Sequence, residues 1–157
     1  MKLNPSKYAF GVSSGKFLGF MVSQRGIEAN LDKIQVILNM EPQKNVKKVQ
    51  SLIGQVAALN KFVSKATDKC LPFFKVLKKV FEWTDECQKA FKDLKVYLTT
   101  APLLSPFVSG EELYLYLAVS SHAISLALIR EEEKVQKPTY YTSQALRGME
   151  GQYWLLH

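Results

Sequence analysis

The middle of the chain carries apolar residues at the spacing of amphipathic helices. Asn30, Asn45 and Thr84 each stand just before such a run, and these residue types cap helices because their side chains accept a backbone hydrogen bond. Pro42 and the Ala101-Pro102 pair end two of the runs, since proline cannot continue a helix. The pattern predicts helices at about 31–41, 46–65, 73–77 and 85–100.

Both ends of the chain are rich in the β-branched and aromatic residues that favour strands. Near the beginning, strands are predicted at 8–12 and 17–23, with turns at 13–16 and 24–26. Gly19, inside the second strand, marks a bulge or a close backbone approach, or it serves packing alone. Near the end, the pattern predicts strands at 113–119, 123–130 and 138–142, with a charged hairpin tip at 131–134.

This order of elements predicts an α+β fold in two parts: short strands, then helices, then an antiparallel meander. The division is expected between residues 80 and 112, where Pro102, Pro106 and Gly110 give a linker-like stretch. Tyr114 and Tyr116 share one face of their strand because they are two residues apart. A small meander leaves a sheet face uncovered, so we expect self-association there.

Composition and charge restrict the possible partners. The chain has 157 residues, of which 47% are hydrophobic and 22% charged, which is typical of a globular protein. Residues 1–80 hold 14 basic and 4 acidic residues, a net +10, whereas residues 81–157 hold 7 and 10, a net −3. The basic half indicates an anionic partner, most simply a phosphate backbone. Alternatively it is a lysine-rich surface that faces solvent, and the charge alone does not decide between the two. Lys47, Lys48 and Lys61 fall off the apolar stripe and should face solvent.

Several classes of protein receive no support from the sequence. No apolar run is long enough to span a membrane, and the beginning of the chain lacks an apolar signal core, which favours an intracellular protein. Cys70 and Cys87 stand alone, so buried thiols are expected rather than a zinc site or a disulfide.

Catalytic patterns are equally scarce. The chain has two histidines, His122 and His157, neither of them in a nucleophile motif, and it has no glycine-rich phosphate loop. Two-metal chemistry needs several converging carboxylates. The helical pattern instead puts Asp32, Asp85 and Asp93 on separate helices, with Asp68 between helices. Composition and spacing alone therefore indicate no enzyme.

A colinear set of short motifs gives more information than any of these patterns. Phe17-Leu18-Gly19-Phe20, followed by Ser23 and Gly26-Ile27, resembles the FLGH.vS..GI segment of gypsy-type LTR-retrotransposon reverse transcriptases. Later stretches resemble the thumb helix, the F.W…AF..LK motif and the following aPvL motif, and the hPv.y.Sr.L strand of the same family. In this chain these stretches are VQSLIG, FEWT, AFKDLK, APLL and PTYYTSQAL.

The resemblance implies a polyprotein region that binds a template–primer duplex or an RNA–DNA hybrid. It assigns 1–28 to the end of a polymerase palm with primer-grip-like strands, 29–80 to a helical thumb-like segment, 81–112 to a connecting helix and linker, and 113–157 to a truncated ribonuclease H-like domain. In the same family the nucleic-acid-binding candidates are Lys16, Phe17, Gly19, Arg25, Lys47, Lys48 and Lys61.

Departures from the family motifs predict a catalytically inactive chain with residual nucleic-acid binding. The family's polymerase YxDD strand would lie before Met1. Ala118 stands at the aspartate of the family's TDAS strand, and His157 stands at the next nuclease acid. The family would use Mg²⁺, but an alanine methyl cannot ligate a cation, so no cofactor is expected. The alternatives are an active enzyme that uses Glu111 and Glu112, a domesticated protein-interaction module, or a relic without function.

Overall fold

The computed structural model describes residues 10–17, 20–78 and 80–146. Within these ranges, four α-helices stand between two three-stranded antiparallel sheets in the order of the chain. This architecture confirms the α+β class predicted from the sequence.

The first sheet is formed by β1 (Ser14–Phe17), β2 (Phe20–Ser23) and β3 (Gly26–Ala29), in that order. Strand β1 pairs with β2 in antiparallel register, with Ser14 opposite Ser23. The turn predicted at 13–16 is therefore wrong from Ser14 onward, because these residues pair in the sheet. The predicted strand at 8–12 lies largely outside the described residues, and Gly11 and Val12 are not in a strand.

The helices are α1 (Leu31–Leu38), α2 (Val46–Ala58), α3 (Ala66–Leu77) and α4 (Asp85–Thr99). All three predicted caps form. The Asn30 side chain accepts a hydrogen bond from the backbone N–H of Asp32 at 3.0 Å. The Asn45 side chain accepts from Lys48 at 2.9 Å and that of Thr84 from Cys87 at 3.3 Å. These caps satisfy N–H groups that the first helical turn leaves without partners.

The boundary between α2 and α3 differs from the prediction. Helix α2 ends at Ala58, a 3₁₀ turn follows at Asn60–Phe62, and Lys65 is left-handed with φ 52°. The Tyr97 hydroxyl stabilises this bend: it accepts from the Ser64 N–H at 3.1 Å and donates to the Phe62 carbonyl at 3.0 Å. Helix α3 consequently begins well before residue 73, and it contains Asp68, which the sequence pattern had placed between helices.

One hydrophobic core joins the first sheet to all four helices. Its fully buried side chains include Ile37 from α1, Leu52 from α2, Phe73 from α3 and Leu94 from α4. The predictions for the two cysteines are confirmed, because both are buried and free. Burial also raises the pKa of the Cys70 thiol to about 12.

The second sheet consists of β4 (Leu113–Val119), β5 (Ala123–Glu132) and β6 (Val135–Ala145), with β5 in the centre. Glu133 and Lys134 both have positive φ and form the two-residue turn between β5 and β6, a geometry that matches strand twist. Strand β6 begins directly after this turn and is longer than the predicted 138–142. Helix α3 packs on this sheet, where the Thr67 N–H donates to Ser143 Oγ at 2.9 Å.

The linker-like stretch before β4 is partly a structural connection. Ile27 and Leu104 exchange two backbone hydrogen bonds of 2.8 and 2.9 Å, and Leu104 is buried. The next residue, Ser105, donates its N–H to the Pro138 carbonyl of β6 at 2.8 Å. This segment thereby connects the two parts of the chain and also ties the first sheet to the second by hydrogen bonds.

Strand β4 is the more exposed edge of the second sheet. Tyr114 and Tyr116 are partly exposed, but they pair with Ile129 and Ala127 on the face that packs towards α3. The opposite face is more open, with Leu115, Leu117 and Val119 each 61–66% exposed. The prediction that the tyrosine face is exposed agrees with the 41% and 49% exposure of Tyr114 and Tyr116, and the sequence did not indicate that the opposite face is more exposed still.

Candidate nucleic-acid interface

The solvent face of α2 begins with two free ammonium groups. Val49, Leu52 and Val56 are buried and fix the opposite face of the helix in the core. Lys47 and Lys48 therefore point to solvent, as predicted. In the described part of the chain, neither ammonium takes part in an ion pair or a side-chain hydrogen bond, so both charges are available to a ligand.

Beyond the lysines, the exposed surface of α2 is made of small residues. Ser51, Gly54, Ala57 and Ala58 are exposed or lie at its rim. A Cβ built on Gly54 would meet no atom within 4 Å. Because a mid-helix glycine costs about 0.5–1 kcal/mol relative to alanine, packing within this chain gives no reason for it. The sequence analysis had not singled out Gly54 as a site residue, although a glycine inside a helical stripe is a recognisable signal.

Lys61 lies beyond the end of α2, in the 3₁₀ turn. Its ammonium stands 5.4 Å from the centre of the Phe20 ring, which is a cation–π geometry. The Phe20 ring in turn contacts Phe62, with centroids 5.6 Å apart. Lys61 is exposed, so it can meet an anion, but its position is fixed by contact with the first sheet.

The remaining sequence candidates belong to the first sheet and its turns. Lys16 pairs with Asp32 at 2.7 Å, and this hydrogen bond holds the pKa of Asp32 below its ordinary value. Arg25 pairs with Glu28 at 3.5 Å. Phe17 is 65% exposed on β1, whereas Gly19 lies outside the described residues. The two partnered cations therefore carry less free charge than Lys47 and Lys48.

The strand end that corresponds to a nuclease acid position contains no carboxylate of its own. Ala118 pairs with Ser125 in the sheet. The Ser120 hydroxyl donates to Asp68 Oδ1 at 3.0 Å and accepts from the N–H groups of His122 and Ala123. Asp68 and Ser120 thus hold the β4–β5 turn against α3. His157, the other family acid position, lies outside the described residues.

A magnesium ion does not fit the described residues at this strand end. The Ala118 methyl offers no ligand, and the Ser120 oxygen already serves the turn. In the described ranges no three histidine, cysteine, aspartate or glutamate side chains come close enough together to hold a metal ion. Mg²⁺ requires oxygen ligands, chiefly carboxylates, and the carboxylate described at this strand end, Asp68 from α3, is bonded to Ser120.

Glu111, one of the two suggested substitute acids, is held in place by hydrogen bonds within the chain. Its Oε1 accepts from Arg130 at 2.7 Å, and its Oε2 accepts from the Val108 N–H at 3.2 Å. Arg130 is itself buried. A carboxylate held by a guanidinium and a backbone amide is a fixed counter-ion, which argues against the active-enzyme alternative.

Comparisons with known proteins find similar sequences and similar folds. Residues 83–156 match the family model of the RNase H-like domain found in reverse transcriptase. The whole chain is similar to the transposon Tf2-3, Tf2-4 and Tf2-5 polyproteins of Schizosaccharomyces pombe, with 27% identity over 146 residues, or 90% of the chain. The match covers 11% of each polyprotein, so the chain spans about a tenth of their length.

Solved structures show the same fold. The foamy viral protease–reverse transcriptase in complex with an RNA/DNA hybrid matches 90% of this chain and 20% of its own, with a TM-score of 0.73 and 21% identity. The same protein in complex with double-stranded DNA matches 87% of this chain and 29% of its own, with a TM-score of 0.70 and 21% identity. The chain therefore shares the fold of these reverse transcriptase structures over most of its length. None of the helices in the described ranges is both long and apolar enough to cross a membrane.

Proposed function

We propose that this chain binds an RNA–DNA hybrid or a template–primer duplex through the solvent face of α2, as a non-catalytic segment of a gypsy-type polyprotein. The observation that carries the proposal is the surface of α2, where the unpaired Lys47 and Lys48 adjoin an open stretch at Gly54. The lysines supply charge for phosphates, and the small residues let a rigid duplex approach the helix. The two foamy viral complexes support nucleic acid as the partner, since they share this fold.

The test is the affinity for a labelled RNA–DNA hybrid across a salt series, with circular dichroism as the folding check. Phosphate contacts release counterions, so the affinity should fall steeply as salt rises. Such contacts position a duplex without reading its sequence, so hybrids of unrelated sequence should bind equally. A folded chain that binds no hybrid at low salt would contradict the proposal and leave a protein-interaction module or a relic.

Catalytic inactivity is the second part of the proposal. Its support is Ala118 at the nuclease acid position, together with the fixed partners of Asp68 and Glu111. We expect the hybrid to remain uncut when Mg²⁺ or Mn²⁺ is added to the bound complex. Metal-dependent cleavage that disappears on substitution of a residue between 111 and 133 would overturn this part.

Self-association through β4 is the third part. None of the seven residues Leu113–Val119 is charged or a proline, so the edge lacks the usual protection against pairing with another strand. We propose that a second copy adds its own β4 in antiparallel orientation. This orientation, centred on Tyr116, sets Glu112 opposite the partner's Ser120, whereas a parallel pair would set the two Glu112 carboxylates side by side.

Analytical ultracentrifugation tests this association. The chain is expected to form dimers at high concentration, and Leu117→Lys should return it to the monomer by placing a charge on the exposed edge. Val80→Lys is the control, because Val80 is 93% exposed and lies far from β4 in the sequence. A monomer at every concentration would refute the dimer.

A further inference from the structure

A cavity of about 480 Å³ opens where three separate parts of the chain meet. The turn after β2 forms one wall, the segment that ties the two sheets together forms the second, and the β5–β6 hairpin forms the third. Its polar lining residues are Gln24, Arg25, Ser105, Arg130, Glu132, Gln136 and Lys137. The location is independent of the α2 surface.

The charge of the lining favours an anionic ligand. Arg25, Arg130 and Lys137 bring three positive charges, while Glu132 is the one carboxylate among the lining residues that the structure assigns to this cavity. Outside the lining, Glu28 pairs with Arg25 at 3.5 Å and Glu111 with Arg130 at 2.7 Å, so Lys137 is the cation whose ion pair lies wholly within the cavity. The two glutamine amides and the serine hydroxyl add neutral hydrogen-bond donors. Several donors around a cationic centre suit an anion with several oxygens, and a phosphate group is the common biological example.

Arg130 keeps its charge in place at the wall of the cavity. The residue is buried, and its guanidinium donates to the Pro106 carbonyl at 3.2 Å and to Glu111 Oε1 at 2.7 Å. These two bonds fix the plane of the group. Its Nε–H is buried and has no hydrogen-bond partner among the residues that the structure describes. Because the side chain is anchored by the segment before β4, an entering anion meets a cation that is already oriented.

Glu132 lies between two cations of the β5–β6 hairpin, Arg130 and Lys137. Its carboxylate hydrogen-bonds to the Lys137 ammonium and stands 3.8 Å from the Arg130 guanidinium. The hydrogen bond from Lys137 and the charges of Lys137 and Arg130 hold the pKa of Glu132 below its ordinary value. The Glu132 side chain is 46% exposed, so it can rotate into solvent. This rotation frees the Lys137 ammonium and removes one of the two carboxylates near Arg130, which keeps its bond to Glu111.

We propose that this cavity binds a phosphate group between Arg25, Arg130 and Lys137, and that the Glu132 carboxylate is an internal competitor that the phosphate displaces. The phosphate is either a phosphodiester of a nucleic-acid strand or a free phosphate ion. In the first case the site rests on the proposed function and adds a second contact to it. If the ligand is a free phosphate ion, the site is independent of the proposed function.

The first experiment is a titration of the chain with inorganic phosphate in chloride buffer, followed by amide NMR. Saturable shifts are expected at the Gln24 and Gln136 side-chain amides and at Ser105. Glu132→Gln should tighten binding about threefold, since a competing surface ion pair is removed. Arg25→Gln with Lys137→Gln should weaken it about tenfold for each cation removed.

Lys75→Gln is the matched control, because Lys75 is also an exposed lysine in an ion pair, with Glu86 at 2.9 Å. It should leave the phosphate affinity unchanged. The proposal is overturned if phosphate causes no saturable shift, or if the Arg25→Gln/Lys137→Gln variant binds phosphate as tightly as the parent chain. This titration contains no nucleic acid, so its failure is distinct from a failure of the α2 proposal.

The second experiment identifies the source of the phosphate. If the source is a nucleic-acid strand, the Arg25→Gln/Lys137→Gln variant should bind the hybrid more weakly than the parent chain does. Its slope of log affinity against log salt should also be smaller in magnitude by about 2. If the source is a free phosphate ion, the same variant should lose phosphate binding and keep its hybrid affinity. Both results support the site and differ only in its ligand.

Discussion

Gly26→Ala is expected to lower the free energy of unfolding by roughly 3–5 kcal/mol. Gly26 has a φ of +137°, and a Cβ at this position would stand 2.1 Å from the Leu104 carbonyl oxygen. The backbone on both sides has to move apart to admit the methyl group. That movement breaks the two hydrogen bonds between Ile27 and Leu104 that tie β3 to the segment before β4.

Denaturation by urea or heat measures this loss, and a chain of this size should melt roughly 10 °C lower. Gly54→Ala is the matched control, because a Cβ at Gly54 meets nothing and the helix gains about 0.5–1 kcal/mol. The two Gly→Ala changes should therefore have opposite signs. Equal small effects at both positions would contradict the close approach at Gly26.

Local chemistry made the helix starts predictable from the sequence. Asn30, Asn45 and Thr84 act within three residues of their own positions, so a sequence pattern contains the whole interaction. The end of α2 was not predictable in this way. It depends on Tyr97, whose hydroxyl bonds to Ser64 from 33 residues away.

The candidate site shows the same division between local and distant effects. The helical stripe placed Lys47 and Lys48 in solvent correctly, because the period of α2 decides that alone. The partner of Lys16 is 16 residues distant and that of Arg130 is 19, so their ion pairs could not be derived from spacing. The resemblance to the family predicted the missing ligand at Ala118 but gave no indication that Asp68 would hold the adjacent turn.

Lys47→Gln combined with Lys48→Gln is expected to weaken binding of an RNA–DNA hybrid on the order of a hundredfold at about 50 mM salt. Each lysine that contacts a phosphate releases close to one counterion, so the slope of log affinity against log salt should fall by about 2. Both side chains are exposed and without ion pairs in the described part of the chain, so the fold should keep its stability.

The control is Lys89→Gln combined with Lys92→Gln, which removes the same charge from exposed positions of α4. If net charge alone drives binding, the two double variants weaken it equally. If α2 is the interface, the α4 variant keeps nearly all of its affinity and the parent slope. Equal losses would therefore contradict α2 as the binding surface.

Gly54→Leu tests the same surface without a change of charge. The leucine has open space in the free chain and favours a helix more than glycine does, so the fold is not weakened. A duplex lying against α2 would instead meet a side chain that prevents its close approach. We expect the affinity to fall at every salt concentration with the slope preserved, which separates steric exclusion from the loss of phosphate contacts. A leucine variant that binds as the parent chain does would restrict the interface to the lysine end of the helix.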